Sequence, residues 1–163
     1  MELPFYFYTW RSITLNKANI LQRILPHGHD AVWIDGIISV VGETPTQSLT
    51  TVRYLREEQT HFQGHFPTTP ICRGTDMLEM ANQTAACLYF ILNDGVMEKR
   101  PEINMYEKIR FRQKAYPGQT LLIKCFNPKN ERRAFRCDVE ITIHCPEKPI
   151  VVATIEGLGG LKC

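Results

Sequence analysis

The chain has 163 residues, of which 44% are hydrophobic, and its formal net charge at pH 7 is +2. This length suits one domain with a substantial core, and the composition excludes a disordered polypeptide. A net charge so near zero gives no overall field that would attract nucleic acid, so a basic binding site would have to be local. We therefore expect a single domain over residues 1–163, in which residues 1–19 form an N-terminal extension.

The N-terminal residues lack the features of a secretory signal. Glu2 stands where a signal needs basic residues, the apolar run stops by Trp10, and no small-residue cleavage site follows. No segment approaches the roughly 20 apolar residues of a membrane-spanning helix. These features predict a cytoplasmic protein.

The cysteines predict structural thiols. They form no C-x-x-C pair and show no metal-ligand spacing with histidine, and most lie in apolar segments where a free cysteine acts as a small hydrophobic residue. A metal site or a disulfide is therefore the less favoured interpretation of Cys72, Cys87, Cys125, Cys137, Cys145 and Cys163.

The first half of the chain predicts a short helix and two strands. Residues 16–25 (NKANILQRIL) have an amphipathic helical pattern that ends before Pro26. Residues 32–43 (VWIDGIISVVGE) are rich in Val and Ile and predict a strand, and residues 46–54 (TQSLTTVRY) predict its antiparallel neighbour.

A long helix is predicted over residues 74–93 (GTDMLEMANQTAACLYFILN). The segment has no proline and no internal glycine, and Gly95 marks its end. Because its apolar residues occupy most faces, the helix should be buried. Asp76 lies near the positive end of its dipole.

The chain from residue 102 onward predicts a four-stranded antiparallel meander. Its strands are expected at residues 105–116, 119–126, 133–145 and 150–158, and Pro117-Gly118 has the residue order of a type II turn. Two strands, one buried helix and then this meander predict an α+β domain whose sheet wraps around its single long helix.

Residues 61–83 hold the candidate chemistry. His65 lies on a loop stiffened by glycine and proline, and histidine is the usual general base near neutral pH. Gly74 opens the long helix, where exposed N–H groups can bind an oxyanion. Glu79 lies one and a half turns further, four residues before Gln83 and on the same face. Residue types and spacing alone also fit a loop histidine, a helix start and a surface carboxylate.

The same stretch resembles a known family. GHFPTTPICRGTDMLEMANQ (64–83) resembles the G-H-F-P-x-x-P-I-x-P-G-x-x-x-x-E-A-x-A-Q signature of β-hydroxyacyl-acyl carrier protein dehydratases of the FabZ type, which have the hotdog fold. ILPHGHDAVWID (24–35) and KIRFRQKAYPGQTL (108–121) resemble two further motifs of that family. The resemblance extends over about residues 20–160.

The resemblance implies a role for each matching residue. His65 would be the catalytic histidine, Glu79 the catalytic carboxylate, and Gly74 the donor of the N–H that polarises the thioester carbonyl. Gln83 would be a supporting polar group, and Phe66 and Arg73 complete the candidate substrate-binding residues. The expected reaction removes water from a 3-hydroxyacyl thioester and leaves a trans-2-enoyl thioester, with dehydration alone favoured by a glutamate rather than an aspartate at position 79.

The resemblance also implies partners. The substrate would be carried by the phosphopantetheine of acyl carrier protein, and no cofactor or metal is expected. The histidine and the carboxylate of one site would come from opposite subunits of a homodimer, which could assemble further into a trimer of dimers. An acyl tunnel would follow the subunit interface.

Some residues depart from the family pattern. Arg73 stands where the family has proline, and its charge could act on Glu79 or contact a polar substrate. Gly28 replaces an arginine, and Ala31 replaces a bulkier apolar residue. These changes leave the catalytic pair in place but favour a specialised pathway, such as one acting on a polyketide-like chain.

A basic segment could receive the carrier protein. In KIRFRQK (108–114), strand alternation puts Lys108, Arg110, Arg112 and Lys114 on one face. Part of this face, together with Lys99-Arg100 or Arg132-Arg133, could bind an acidic carrier protein. The alternative is an ordinary solvated face of the sheet.

Two other functions stay open from the sequence. One is a hotdog acyl thioesterase, although such enzymes lack the G-H-F-P histidine loop. The other is a non-catalytic subunit that binds acyl carriers.

Overall fold

The computed structural model describes residues 21, 24–96 and 101–162, in which a seven-stranded antiparallel sheet packs against one long helix. The helices that lie wholly within these residues are a short 3-10 helix at His29–Ala31 and two α-helices, α1 (Thr60–Gly64) and α2 (Gly74–Leu92). The strands are β1 (Gly36–Val41), β2 (Ser48–Tyr54), β3 (Pro101–Met105), β4 (Lys108–Phe111), β5 (Thr120–Asn130), β6 (Ala134–Ile143) and β7 (Ile150–Lys162).

The sheet has the strand order β1-β2-β5-β6-β7-β3, and β4 also pairs with β7. Its inner face follows from strand alternation, which is regular along β6. Every second residue of β6 is buried: Phe135, Cys137, Val139, Ile141 and Ile143. Helix α2 packs against β2, β5, β6 and β7, so the core lies between helix and sheet. The predicted α+β hotdog arrangement is confirmed.

Helix α2 begins and ends where the sequence predicts. It starts at Gly74, and beyond its last residue Gly95 has φ +79° and donates its N–H to the Phe90 carbonyl. A glycine in this left-handed conformation satisfies the last free carbonyls of a helix at low steric cost. The helix is mostly buried, and the buried Thr84 hydroxyl lies 2.7 Å from the Thr51 hydroxyl of the sheet.

The strand predicted at residues 105–116 is shorter in the structure. Only β4 lies within that range, and β3 ends at its first residue, Met105; the two strands pair with successive parts of β7. The cause lies in β7, where Gly157 takes φ +64° between the segments that face β4 and β3. This bend changes the direction of the ladder, so the partner backbone breaks at residues 106–107.

Several local predictions are confirmed. Strands β1 and β2 pair antiparallel, and Gly118 has φ +81° in a turn closed by a hydrogen bond from the Gln119 N–H to the Tyr116 carbonyl. Four of the cysteines are free and buried: Cys72, Cys87, Cys125 and Cys137. Burial raises the pKa of Cys87 to about 12.

Two predictions fall largely on residues outside those described. Most of the helix predicted at residues 16–25 lies there, although Leu21, Ile24 and Leu25 belong to the core. The extension at residues 1–19 and Cys163 lie there entirely. Among the helices that the structure describes, none is long and apolar enough to cross a membrane.

Candidate active site

Glu79 lies on α2 at the wall of a cavity of about 240 Å³. The carboxylate side chain is 35% exposed. Most of the cavity wall is apolar, and the residues that line it are Ile24, Leu25, Pro26, His27, Glu79, Asn82, Gln83, Ala86, Pro101 and Ile103. The helix thus presents a carboxylate to a space with apolar walls, in which electrostatic interactions are stronger than in water.

Gln83 fixes the position of Glu79. It is 1% exposed, and its Nε2 donates hydrogen bonds to Glu79 Oε1 and to the Ala31 carbonyl, both at 2.8 Å. Its Oε1 accepts a hydrogen bond from the Trp33 N–H, also at 2.8 Å. Because both the nitrogen and the oxygen of the amide form hydrogen bonds, Gln83 joins the segment before β1 to the Glu79 carboxylate and restricts the movement of both.

His27 also contacts Glu79, with 3.5 Å between its Nε2 and Glu79 Oε1. Sequence reasoning did not select His27, because histidines in a loop are common and no helical spacing relates this one to Glu79. The available signal was its place in the ILPHGHDAVWID stretch, where the Pro-His pair matches the family pattern.

His65 lies directly after α1 on a closed loop. The Ile71 N–H donates to the His65 carbonyl at 2.9 Å, and Phe66 and Thr69 exchange backbone hydrogen bonds. The His65 ring stacks on the ring of Phe66, with 4.3 Å between the centroids. No hydrogen bond or ion pair links His65 to Glu79 within the described part of a single chain.

Gly74 is covered by the ring of Phe111. A Cβ at position 74 would lie 2.7 Å from Phe111 Cζ, so a residue with a side chain requires the ring to move. The Phe111 side chain itself is 52% exposed. For the Gly74 N–H, the described residues provide no acceptor, as is usual in the first turn of a helix.

Arg73 forms an ion pair with Asp76 rather than with Glu79. Its Nε lies 3.1 and 2.9 Å from the two carboxylate oxygens, and its Nη2 lies 2.7 Å from Oδ1. The Asp76 side chain is 5% exposed and the Arg73 side chain 40%. The arginine that replaces the family's proline is therefore held at the helix start by a buried carboxylate three residues later.

His61 extends this ion pair towards the His65 loop. Its Nε2 lies 3.8 Å from Asp76 Oδ2 and has no hydrogen-bond partner among the described residues. Burial lowers the pKa of His61, and the attraction of Asp76 opposes this shift without overcoming it. Because His61 belongs to α1, which leads into His65, the network connects the His65 loop to the start of α2.

The basic face is not the continuous strand that was predicted. Strand β4 ends at Phe111, and the N–H groups of Arg112 and Gln113 both point to the Val152 carbonyl, so the alternation is lost. Lys108 Nζ lies 2.9 Å from a carboxylate oxygen of Glu156. Three predicted cations remain exposed beyond that pair: Arg110, Arg112 and Lys114. Residues 99–100 lie outside the described part, and residues 132 and 133 are exposed.

Comparison with known proteins places this chain in a family. Residues 42–150 match the family described as ApeI-like, ApeI dehydratase. The 3-hydroxyacyl-[acyl-carrier-protein] dehydratase FabZ of Roseobacter denitrificans is 33% identical over 111 residues, which cover 68% of this chain and 71% of that protein.

Solved structures agree on the fold. The dehydratase heterocomplex ApeI:P from Xenorhabdus doucetiae gives a TM-score of 0.54 at 18% identity, covering 76% of this chain and 96% of that one. Zebra fish thioesterase superfamily member 2 gives 0.58 at 15% identity, covering 86% and 94%. At such identities these structures indicate a shared fold only. Taken with the sequence matches, they lead to one conclusion: the chain belongs to the ApeI-like dehydratase family, among the FabZ-type hotdog dehydratases.

Proposed function

We propose that the chain removes water from a 3-hydroxyacyl thioester to form a trans-2-enoyl thioester, in fatty-acid or polyketide-like biosynthesis. The observation that carries the proposal is the Glu79 carboxylate, which is clamped by Gln83 at the wall of an apolar cavity. A carboxylate in such a place costs free energy unless it serves binding or chemistry. Family membership identifies that chemistry as dehydration.

The site is proposed to form between two copies of the chain. Within the described part of one chain, His65 stacks on Phe66 and Glu79 contacts His27, and no ion pair joins His65 to Glu79. In a homodimer, His65 of one protomer would meet Glu79 of the partner subunit. A trimer of dimers would repeat the same unit. Size-exclusion chromatography with light scattering measures the assembly, and a monomer that retains full activity would contradict a shared site.

The proposed reaction begins at the thioester. His65 takes a proton from Cα while the thioester oxygen gains charge and accepts a hydrogen bond from the Gly74 N–H. Glu79 then protonates the departing 3-hydroxyl group, and water leaves. Phe66, which follows His65, and Phe111, whose ring covers Gly74, are exposed aromatic side chains that we propose contact the substrate. Apolar walls around Glu79 keep the acyl chain away from bulk water.

A dehydration assay tests this function directly. The protein is incubated with a 3-hydroxyacyl thioester while enoyl absorbance and free thiol are followed together. We expect enoyl product without thiol release, and loss of product in His65→Ala and Glu79→Gln. His144→Gln is the matched control, because His144 is an exposed histidine outside the site. Enoyl product that persists in His65→Ala would refute the assigned base, and thiol release without enoyl would identify a thioesterase.

We also propose that acyl carrier protein delivers the substrate. Arg110, Arg112 and Lys114 are exposed cations near the end of β4, and Phe111 on the same strand covers Gly74. A cationic surface beside the site would speed encounter with an acidic carrier and weaken with salt. No cofactor is needed for the reaction as written, because both proton transfers use side chains. The cytoplasmic location stays a prediction.

Reversing the charge of the cationic surface distinguishes binding of the carrier protein from the dehydration step. Arg110→Glu with Arg112→Glu should lower kcat/KM on a carrier-bound substrate and leave turnover of a short thioester without carrier unchanged. Lys124→Glu is the control, since Lys124 is an exposed lysine on β5, away from β4 in the sheet order. An equal loss on both substrates would remove the argument for a carrier surface.

A further inference from the structure

Among the described side chains of one chain, the imidazole that reaches the Glu79 carboxylate is that of His27. Their side chains approach to 3.5 Å, and each is 35% exposed. Gln83 donates to the same oxygen, Glu79 Oε1, and also binds the Ala31 carbonyl four residues after His27. The segment carrying His27 is thus fastened to the helix that carries Glu79.

His27 and Glu79 are the two titratable residues that line the cavity. Helix α2 otherwise contributes Asn82, Gln83 and Ala86 to its wall, and β3 contributes Pro101 and Ile103. The segment before β1 adds three apolar residues, Ile24, Leu25 and Pro26. Among the described residues, Glu79 is therefore the charged group that faces His27 across this space.

The proposed reaction needs a proton donor for the leaving hydroxyl group. A carboxylate can pass on a proton that a neighbouring imidazolium gives to it, and histidine is the side chain that most readily gains and loses a proton near neutral pH. The approach of His27 Nε2 to Glu79 Oε1, at 3.5 Å, provides such a neighbour.

We propose that His27 supplies, through Glu79, the proton that the 3-hydroxyl group takes as it leaves. The inference rests on the proposed function and deepens it. Because His27 acts through Glu79, it is a positioning and proton-supplying residue, whereas Glu79 touches the substrate.

The proton count of this step balances. The Cα–H bond breaks and its proton goes to His65, while the electron pair forms the double bond and expels the hydroxyl group. The hydroxyl group leaves as water with the proton of the Glu79 carboxyl group, which receives one from His27. His65 then loses its proton to solvent and His27 regains one, so no proton is consumed overall.

The test compares two substitutions that treat the proton differently. His27→Ala opens a space beside Glu79 that imidazole from the buffer can fill, while His27→Gln keeps a hydrogen-bond donor but cannot carry a proton. We expect kcat on a 3-hydroxyacyl thioester to fall about 10- to 100-fold in both, with KM changed less than about 3-fold. Added imidazole should restore the kcat of His27→Ala and leave the lowered kcat of His27→Gln unchanged. His144→Ala with imidazole controls for buffer effects.

The pH profile gives a second measurement. In the wild type, kcat should fall as the pH rises through the range in which histidine loses its proton, and this limb should disappear in His27→Gln. Circular dichroism melting confirms that each variant is folded.

Three results would overturn the proposal. They are wild-type kcat in His27→Ala, a folded and impaired His27→Ala that imidazole does not rescue, and an unchanged pH limb in His27→Gln. The proposed function fails by a different result, which is the absence of enoyl product from the wild-type protein.

Discussion

The ion pair at the start of α2 should be asymmetric in its effect on stability. Removing Arg73 leaves the Asp76 carboxylate, 5% exposed, without its main partner. Removing Asp76 leaves Arg73, whose side chain is already 40% exposed and can turn into solvent. A charge left unpaired in the interior is costly, whereas a charge that regains water is not.

The magnitude follows from this difference. Breaking a buried pair from one side costs about 3–5 kcal/mol, and we take the lower end because Arg73 is partly solvated. We therefore expect Arg73→Ala to lower the free energy of unfolding by about 3 kcal/mol. Asp76→Ala loses charge-assisted hydrogen bonds but leaves no unpaired charge in the interior, so it should lower the free energy of unfolding by about 1 kcal/mol. The double variant should resemble Asp76→Ala.

Urea denaturation at pH 7 and fixed protein concentration measures all three variants. The matched control is the Lys108–Glu156 pair, whose side chains are 43% and 54% exposed. Alanine at either position there should cost less than about 1 kcal/mol, with no asymmetry. If Asp76→Ala proves as costly as Arg73→Ala, or if the double variant is no better than Arg73→Ala, the assignment of a buried carboxylate held by Arg73 is wrong.

Three further predictions concern the surroundings of the site. Burial lowers the pKa of His61, so below about pH 6.5 the unfolded state binds a proton more readily than the folded state, and the free energy of unfolding should fall. His61→Phe should make this fall smaller, as urea denaturation at pH 7.5 and 5.5 can measure. Gln83→Leu should lower the unfolding free energy by about 2 kcal/mol and reduce kcat/KM, because two backbone groups and the proposed catalytic carboxylate of Glu79 lose their partner. Cys145, whose pKa is lowered chiefly by the Lys148 N–H, should react with iodoacetamide before Cys72, whose pKa burial raises to about 12, as mass spectrometry of the native protein can show.

The sequence predicted correctly the helix end and the turn, whose conformations depend on a few neighbouring residues. The end of α2 follows from Gly95, which takes the left-handed conformation, and the turn before β5 follows from Pro117-Gly118. These features depend on a few neighbouring residues. The break between β3 and β4 at residues 106–107 depends instead on Gly157 of β7, which meets this segment only after the sheet has formed.

The contacts of the candidate site also include some between residues close in sequence and others between residues far apart in sequence. The Arg73–Asp76 pair spans three residues at a helix start, a spacing that favours an ion pair, although the sequence had suggested Glu79 as the group on which Arg73 acts. The contact between His27 and Glu79 joins two distant parts of the chain. No periodicity reports such a contact, and only the packing of the segment before β1 against α2 creates it.

The grouping of His27, Gln83 and Glu79 in one chain, without His65, has a genetic consequence. In the proposed dimer each active site combines an acid half from one protomer with a base from the other. A protomer that lacks His65 and one that lacks Glu79 would each be inactive alone, but a mixed dimer would contain one intact site and one doubly defective site.

Two inactive alleles should therefore complement each other. When His65→Ala and Glu79→Gln subunits are mixed equally and allowed to exchange, about half of the dimers are mixed, and about a quarter of all sites regain wild-type composition. A His65→Ala subunit should therefore retain more activity in a dimer with a Glu79→Gln subunit than in a dimer with another His65→Ala subunit.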